Sequence, residues 1–326
     1  WTEPDGTGFA VKTATLQGGN WSRPVTITTS NSLFVNWADF PTVAAFNDGT
    51  LAVSWLQENT NIPYAYDINI ALSSDAGQTW GSPIVPHDDQ STRQHGFLTL
   101  LPTERDEMIA VWLDAREYNS QSPGDSFGNA VQLRSTTIGK DGTLGKDIPL
   151  DLRACSCCQT SAAITEDGTV LIAYRDRTAD EIRDISIVRR HNGVWSGPVN
   201  VHADGWEISG CPVNGPAIDA QATDAVVAWF TGADNIATIK VAFSEDSGVT
   251  FGPAFQVDSG ESVGRVGTLM LATGDALISW VEWTSDGEVL MLCRATKNDG
   301  CVARQTITEH AAAGSFNFPK LARSGD

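Results

Sequence analysis

A short apolar phrase ending in an aromatic residue recurs along the chain, and this repeat constrains the fold more than any other feature. It reads LAVSW to Trp55, MIAVW to Trp112, VLIAY to Tyr174, AVVAW to Trp229 and ALISW to Trp280, at intervals of 51–62 residues. Trp1 lies one interval before Trp55 and marks the end of a sixth copy. Ahead of each phrase stands a small-residue opener: FPTVAAF from Phe40, GFLTLLP from Gly96, QTSAAIT from Gln159, GPAIDAQ from Gly215, VGTLMLA from Val266 and FPKLARS from Phe318. Two further strand-like runs fit within each copy, as in DINIALS and SPIVPHD. Such a period means that one supersecondary unit is copied, since a single unit cannot bury its own apolar face. Four short strands per copy, Gly/Asp turns and no sustained helical period predict an all-β, six-bladed β-propeller of four-stranded antiparallel blades.

The whole chain, 1–326, reads as a single propeller domain. Aligning the repeats places Asp326 on Asp48 and Trp1 on Trp55. The last blade is therefore expected to take its inner strand from residues 318–326 and its outer strands from residues 1–36, which closes the sheets between both termini. By the same alignment, roughly six residues of that blade's second strand have no counterpart here.

Net charge is −19. Nucleic-acid phosphates and acidic membrane surfaces both need a Lys/Arg face, so neither is an expected partner. No apolar run is long enough to span a membrane. The six cysteines are an even set, which suits an oxidising compartment, the periplasm or the cell exterior. No leader is visible, so one would already have been removed. A monomer is expected.

Two turn motifs repeat. Ser73-Ser74-Asp75-Ala76-Gly77-Gln78-Thr79-Trp80 follows S-x-D-x-G-x-T-W, and Ser244-Glu245-Asp246-Ser247-Gly248-Val249-Thr250-Phe251 repeats it with Phe in the last place. Weaker echoes are GGNWS at 18–22 and HNGVWS at 191–196. The Asp suits capping of turn N–H groups, the Gly a positive φ, and the aromatic packing between sheets. These motifs resemble the Asp-box (BNR) repeats of the sialidase superfamily, over essentially the whole chain. CSCCQT, YRDR, EIRDI and GCPVNGP further resemble a bacterial secreted, sialidase-like subgroup. The resemblance implies a propeller that binds, and could hydrolyse, an anionic glycan. It also implies an Arg triad and a Tyr nucleophile, yet the matching opener here reads Asp39-Phe40-Pro41. The tyrosines, Tyr64, Tyr66, Tyr118 and Tyr174, all precede the last two full repeats. Neither feature has a counterpart, and Asp67 is the best match to the family's acid/base Asp.

In a propeller the mouths of the inner strands share one face with the loops between second and third strands. That face should carry Trp37, Asp39, Arg93, His95, Cys157, Cys158, Gln159, Cys211, Asn214, Arg265 and Asn317. The loops should add Asp114, Arg116, Glu117, the run Tyr174–Ile185 and Glu282. The densest charge is YRDRTADEIRDI at 174–185. One reading makes it a self-paired salt-bridge network. The other makes it a ligand clamp, in which Arg175, Arg177 or Arg183, with Asp176, Arg265, Trp37 and Asn214, grips a carboxylate, phosphate or sulfate. Glu181 or Asp184, more remotely Asp39 or Asp67, could then serve in acid/base chemistry.

Cys293 and Cys301 flank the turn ATKNDG and are expected to form a hairpin disulfide. Cys155, Cys157, Cys158 and Cys211 should cluster. Three readings compete: structural disulfides, one of them from Cys211 to CSCC; a copper or zinc thiolate site with His95 as a further ligand; or a redox or nucleophilic centre. His87 and His202 follow one outer-strand pattern and read as repeat features. His191 falls at a turn and His310 in an exposed loop. HDDQ at 87–90 and SPGDS at 122–126 offer oxygen ligands for calcium, though solvated loops explain them better. The functional expectations are three: a glycan-binding, glycoside hydrolase-like propeller, a non-enzymatic metal-binding protein, or a scaffold for a protein partner.

Overall fold

A computed structural model describes residues 1–118, 131–311 and 316–323, so SPGDS at 122–126 lies outside the described residues. The chain divides into two compact units, Trp1–Leu152 and Arg153–Asp326. Both are built of antiparallel sheets whose strands run in chain order. Among the described residues the helical structure amounts to one 3-10 turn, Ala233–Asn235, and no helix is long and apolar enough to cross a membrane.

The first unit holds a three-stranded sheet of Thr2–Asp5, Gly8–Thr13 and Val25–Ser30, with a small hairpin of Leu16–Gln17 and Asn20–Trp21. A second sheet joins Val43–Ala45, Leu51–Glu58 and Tyr66–Ser73. Its expected fourth strand, SPIVPHD, reduces to one antiparallel bridge between Ile70 and Ile84. A third sheet runs His95–Pro102, Glu107–Asp114, Val131–Gly139 and Ile148–Ala154.

The second unit holds three sheets. The first joins Ser161–Ile164, Val170–Arg175 and Ile185–His191 to an outer strand split into Val194–Trp195 and Val199–Asn200. The next runs Ala217–Gln221, Asp224–Thr231, Thr238–Ser244 and Phe255–Gln256. The last runs Ser262–Met270, Ala276–Thr284, Gly287–Thr296 and Gly300–His310. Five of the six openers thus lie on first strands. The sixth, at Phe318, carries no strand over the described residues 318–323.

The repeated aromatic phrase is the second strand of its sheet, where both faces are covered. Hence it is a continuous apolar run and not an alternating one. Trp112, Trp229 and Trp280 are fully buried there. Each such ring removes about 150–250 Å² from water, roughly 4–6 kcal/mol of gross transfer energy, provided its N–H finds an acceptor. Trp112 Nε1 donates to Asp114 (2.8 Å) and Trp280 Nε1 to Glu282 (2.7 Å), two residues along the same strand in each case. Trp229 Nε1 donates to Asp204 (2.6 Å), which also accepts from Lys240.

A second device joins consecutive sheets within each unit. A side chain at the mouth of one inner strand takes a backbone N–H from the next. Asp39 accepts from Phe97 N (2.9 Å), Gln159 Oε1 from Gly215 N (3.3 Å) and Asn214 Oδ1 from Arg265 N (2.9 Å). Phe97 and Arg265 have positive φ, each after a glycine. A Cβ on Gly96 would lie 2.1 Å from Asp39, and one on Gly264 2.1 Å from Asn214, so only glycine admits these contacts.

The two eight-residue turns share their main hydrogen bonds. Ser73 and Ser244 hydroxyls accept from Gly77 N and Gly248 N, both at 2.9 Å. Asp75 and Asp246 accept from the backbone N–H and hydroxyl of Thr79 and Thr250. These bonds hold Asp75 down at about 2. Trp80 and Phe251 pack against apolar clusters of their own units.

Candidate functional site

In the second unit, CSCC follows the end of the strand Ile148–Ala154, and Cys155 N bonds Arg175 O (3.0 Å). Cys157 and Cys211 form a disulfide, as do Cys293 and Cys301. The hairpin disulfide is diagonal: a register shift sets Cys301 opposite Ala295 and Cys293 opposite Arg304. A thiolate metal site on all four clustered cysteines is therefore corrected, because Cys157 and Cys211 have no thiolates to offer. His95, expected as a fourth ligand, is held by carboxylates of the first unit.

Cys155 and Cys158 remain as buried thiols with their sulfurs 3.4 Å apart. They form a C-x-x-C pair that Cys157 conceals within the run, so sequence reading passed over it. The Cys158 thiol, then the charges of Arg183 and Arg175, bring Cys155 down to about 6 despite its burial. Burial, followed by the bond to Cys155, pushes Cys158 up.

In the loop from Arg175 to Ile185 the charged groups bond to backbone groups and to one another. Arg175 is 2 % exposed and spans three backbone carbonyls, Asn214 O (2.9 Å), Arg183 O (2.6 Å) and Phe230 O (2.7 Å), while stacking on Trp206. Its guanidinium is committed to the fold. Asp184 accepts from Gly205 N and Trp206 N, and Asp176 from Arg177 N and Ser186 Oγ, so these carboxylates fix the loop. Asn214 spends its amide on Val263 O and Arg265 N. Arg265 donates to Phe316 O and faces Glu288 at 3.6 Å.

Glu181 has a positive φ of 61°, and its carboxylate lies between two arginines. Arg177 Nη2 donates to it at 2.7 Å and Arg183 Nη2 at 2.8 Å. Arg183 Nη1 reaches Cys155 Sγ at 3.3 Å, and the buried Arg183 Nε has no hydrogen-bond partner. The side chains of Arg177 and Arg183 are only 5 % and 3 % exposed. Burial, and the positive charges of Arg183 and Arg153, lower the Arg177 pKa in spite of Glu181. Two guanidiniums thus share the Glu181 carboxylate, and Arg153 is close enough for its charge to act on Arg177. Arg153 was not anticipated; its position two residues before Cys155 was the available clue.

The first unit has its own polar cluster. His95 opens the strand His95–Pro102 and stacks on His87, with centroids 3.8 Å apart. His95 Nδ1 lies 3.3 Å from Asp67, and Nε2 lies 3.3 Å from Asp89 and 3.8 Å from Asp114. Arg116 joins Asp114 (2.8 Å), Asp88 (2.9 Å) and Asp147 (2.6 Å), and Asp147 also takes Arg134 Nε (2.7 Å). Burial works to lower His95, but Asp67, Asp114 and Asp89 outweigh it and hold the pKa up. Burial and the neighbouring His95 push His87 down. HDDQ is solvated only in part: His87 is buried and Asp89 is bonded to Ser91 and His95, while Asp88, paired with Arg116, and Gln90 are exposed. His87, read as a repeat feature, is part of this cluster.

Asp39 is buried, which raises it to about 7 against the bonds from Phe97 N and Tyr66 OH (3.3 Å). Trp37 is half-exposed. His202 pairs with Asp204, His191 bonds Thr169 Oγ1, and His310 ends an exposed strand.

No family model and no curated protein matches the chain. Solved structures do. The α-L-arabinofuranosidase Arb93A from Fusarium graminearum is 13% identical, with a TM-score of 0.54 over 82% of this chain and 80% of that one. A PL25 polysaccharide lyase, an ulvan lyase, is 12% identical, with a TM-score of 0.52 over 94% and 70%. A protein of unknown function from Dyadobacter fermentans is 14% identical, with a TM-score of 0.51 over 86% and 85%. The chain has a propeller-type all-β fold. Likeness at these identities concerns architecture alone.

Proposed function

We propose that this chain is an extracytoplasmic, glycan-binding propeller whose Arg153–Arg177–Glu181–Arg183 cluster receives an anionic group of its ligand. The observation that carries this reading is the gathering of two buried guanidiniums, Arg177 and Arg183, on Glu181, with the charge of Arg153 felt at Arg177. A carboxylate or sulfate group suits guanidinium donors, which reach two of its oxygens at once. The carbohydrate-active neighbours among the solved structures support a glycan as the carrier of that group. Two disulfides support an oxidising compartment. The repeated serine–aspartate turns support membership of the sialidase-like Asp-box propellers, and six repeated openers support six blades closed through both termini.

Calorimetric titration with uronate-bearing, sulfated and neutral oligosaccharides tests the reading. Binding should be confined to the anionic set, weaken with added salt and fall at least about tenfold in Arg177→Gln. Folded protein that binds no anionic oligosaccharide overturns it. Turnover of chromogenic glycosides that is lost in Glu181→Gln would extend the reading to hydrolysis.

A further inference from the structure

We propose that Cys155, Cys157, Cys158 and Cys211 form a thiol–disulfide relay, in which the buried Cys155–Cys158 pair reduces the Cys157–Cys211 disulfide and delivers a thiol to the surface at Cys211.

The four sulfurs are graded from the interior outward. Cys155 and Cys158 are buried, Cys157 is half-buried and Cys211 is exposed. Cys155 Sγ lies 3.9 Å from Cys157 Sγ, one half of the disulfide, and 3.4 Å from Cys158 Sγ. The thiol within reach of both an electrophilic sulfur and a resolving thiol is thus the one that receives Arg183 Nη1 at 3.3 Å. A guanidinium donor favours the thiolate, which is the attacking form in exchange. A purely structural disulfide requires neither a second dithiol in contact nor a cation on it.

The exchange needs no outside oxidant. The Cys155 thiolate bonds to Cys157 Sγ, the Cys157–Cys211 bond breaks, and its electron pair leaves on Cys211. The Cys158 proton passes to the Cys211 thiolate. Cys158 then attacks Cys155 Sγ, and Cys157 departs as a thiolate. One disulfide replaces another, and one thiol and one thiolate exist before and after. An external disulfide, from a protein or a small molecule, can then be reduced to two thiols as Cys157–Cys211 re-forms.

The test alkylates native protein with iodoacetamide without reductant, quenches with acid and maps the label by tandem mass spectrometry. Wild type should acquire label on Cys211 and Cys157 together with a new Cys155–Cys158 link. Cys158→Ser should stop halfway, with Cys155 linked to Cys157 and Cys211 alone labelled. Cys155→Ser should leave Cys211 unlabelled. Arg183→Met should slow labelling of Cys211 about tenfold. A Cys157–Cys211 bond that stays intact in wild type and Cys158→Ser, with circular dichroism showing folded protein, overturns the relay. If Cys155→Ser fails to fold, those two maps still decide it.

Discussion

His87 and His95 stack with their ring planes 7° apart, yet their proton affinities move in opposite directions. Two stacked imidazoles cannot both be charged cheaply; Asp67 faces both, 3.6 Å from His87 Nε2, but Asp89 and Asp114 stand against His95. A raised folded pKa gives stability that is full below the unfolded value of 6.5 and lost as pH rises through the folded value. A lowered one, at His87, costs stability as pH falls below 6.5. The stability difference between wild type and His95→Gln should therefore shrink on the alkaline side. His87→Gln should gain on wild type on the acid side. Urea denaturation across this range checks both, and pH-independent differences would refute the shared-proton arrangement.

Asp39 offers a second pH test in the same unit. Its folded pKa of about 7 lies above the ordinary 3.8, so folding takes up a proton between these values. Stability must fall as pH rises through that window, with a slope of up to about 1.4 kcal/mol per pH unit. Asp39→Asn keeps an oxygen for Phe97 N and should remove this slope. Denaturation of the variant at several pH values between 4 and 7 reads it directly.

These groups also show what could be read before the structure. The aromatic phrases and openers located the first and second strands, because burial on both faces leaves a continuous apolar run. The eight-residue turns were legible because each polar position bonds within the motif. Charged and sulfur groups were less legible, since spacing identifies loops but not partners. Arg175 and Glu181 stand in one loop, and only the fold sends the first to backbone carbonyls and the second between two guanidiniums. Likewise CSCC announced a cluster, while its division into one disulfide and one C-x-x-C dithiol depended on where Cys211 falls.

Trp280 and Glu282 test the pairing that accompanies the buried aromatic. Glu282 Oε1 accepts from Trp280 Nε1 and also from Ser259 N (3.2 Å). Glu282→Ala strands a buried indole N–H and should cost about 2–3 kcal/mol. Glu282→Gln keeps an acceptor at the same distance from the backbone and should cost less than half as much. Equal losses in the two variants, measured by urea denaturation, would show that the acceptor is unimportant.

The latch between Asn214 and Arg265 permits a double-mutant cycle. Gly264→Ala adds a Cβ 2.1 Å from Asn214 Oδ1 at a φ of +99°, so it combines a clash with backbone strain. It should destabilise by about 3 kcal/mol or more. Asn214→Ala removes the acceptor of Arg265 N and the donor to Val263 O, at about 2 kcal/mol. In the double variant the clash is gone while the strain and the lost bonds remain. The combined loss should therefore fall short of the sum by about 1–2 kcal/mol. Strict additivity would mean that the side chain and the glycine do not meet, and that the close approach contributes nothing to joining these two sheets.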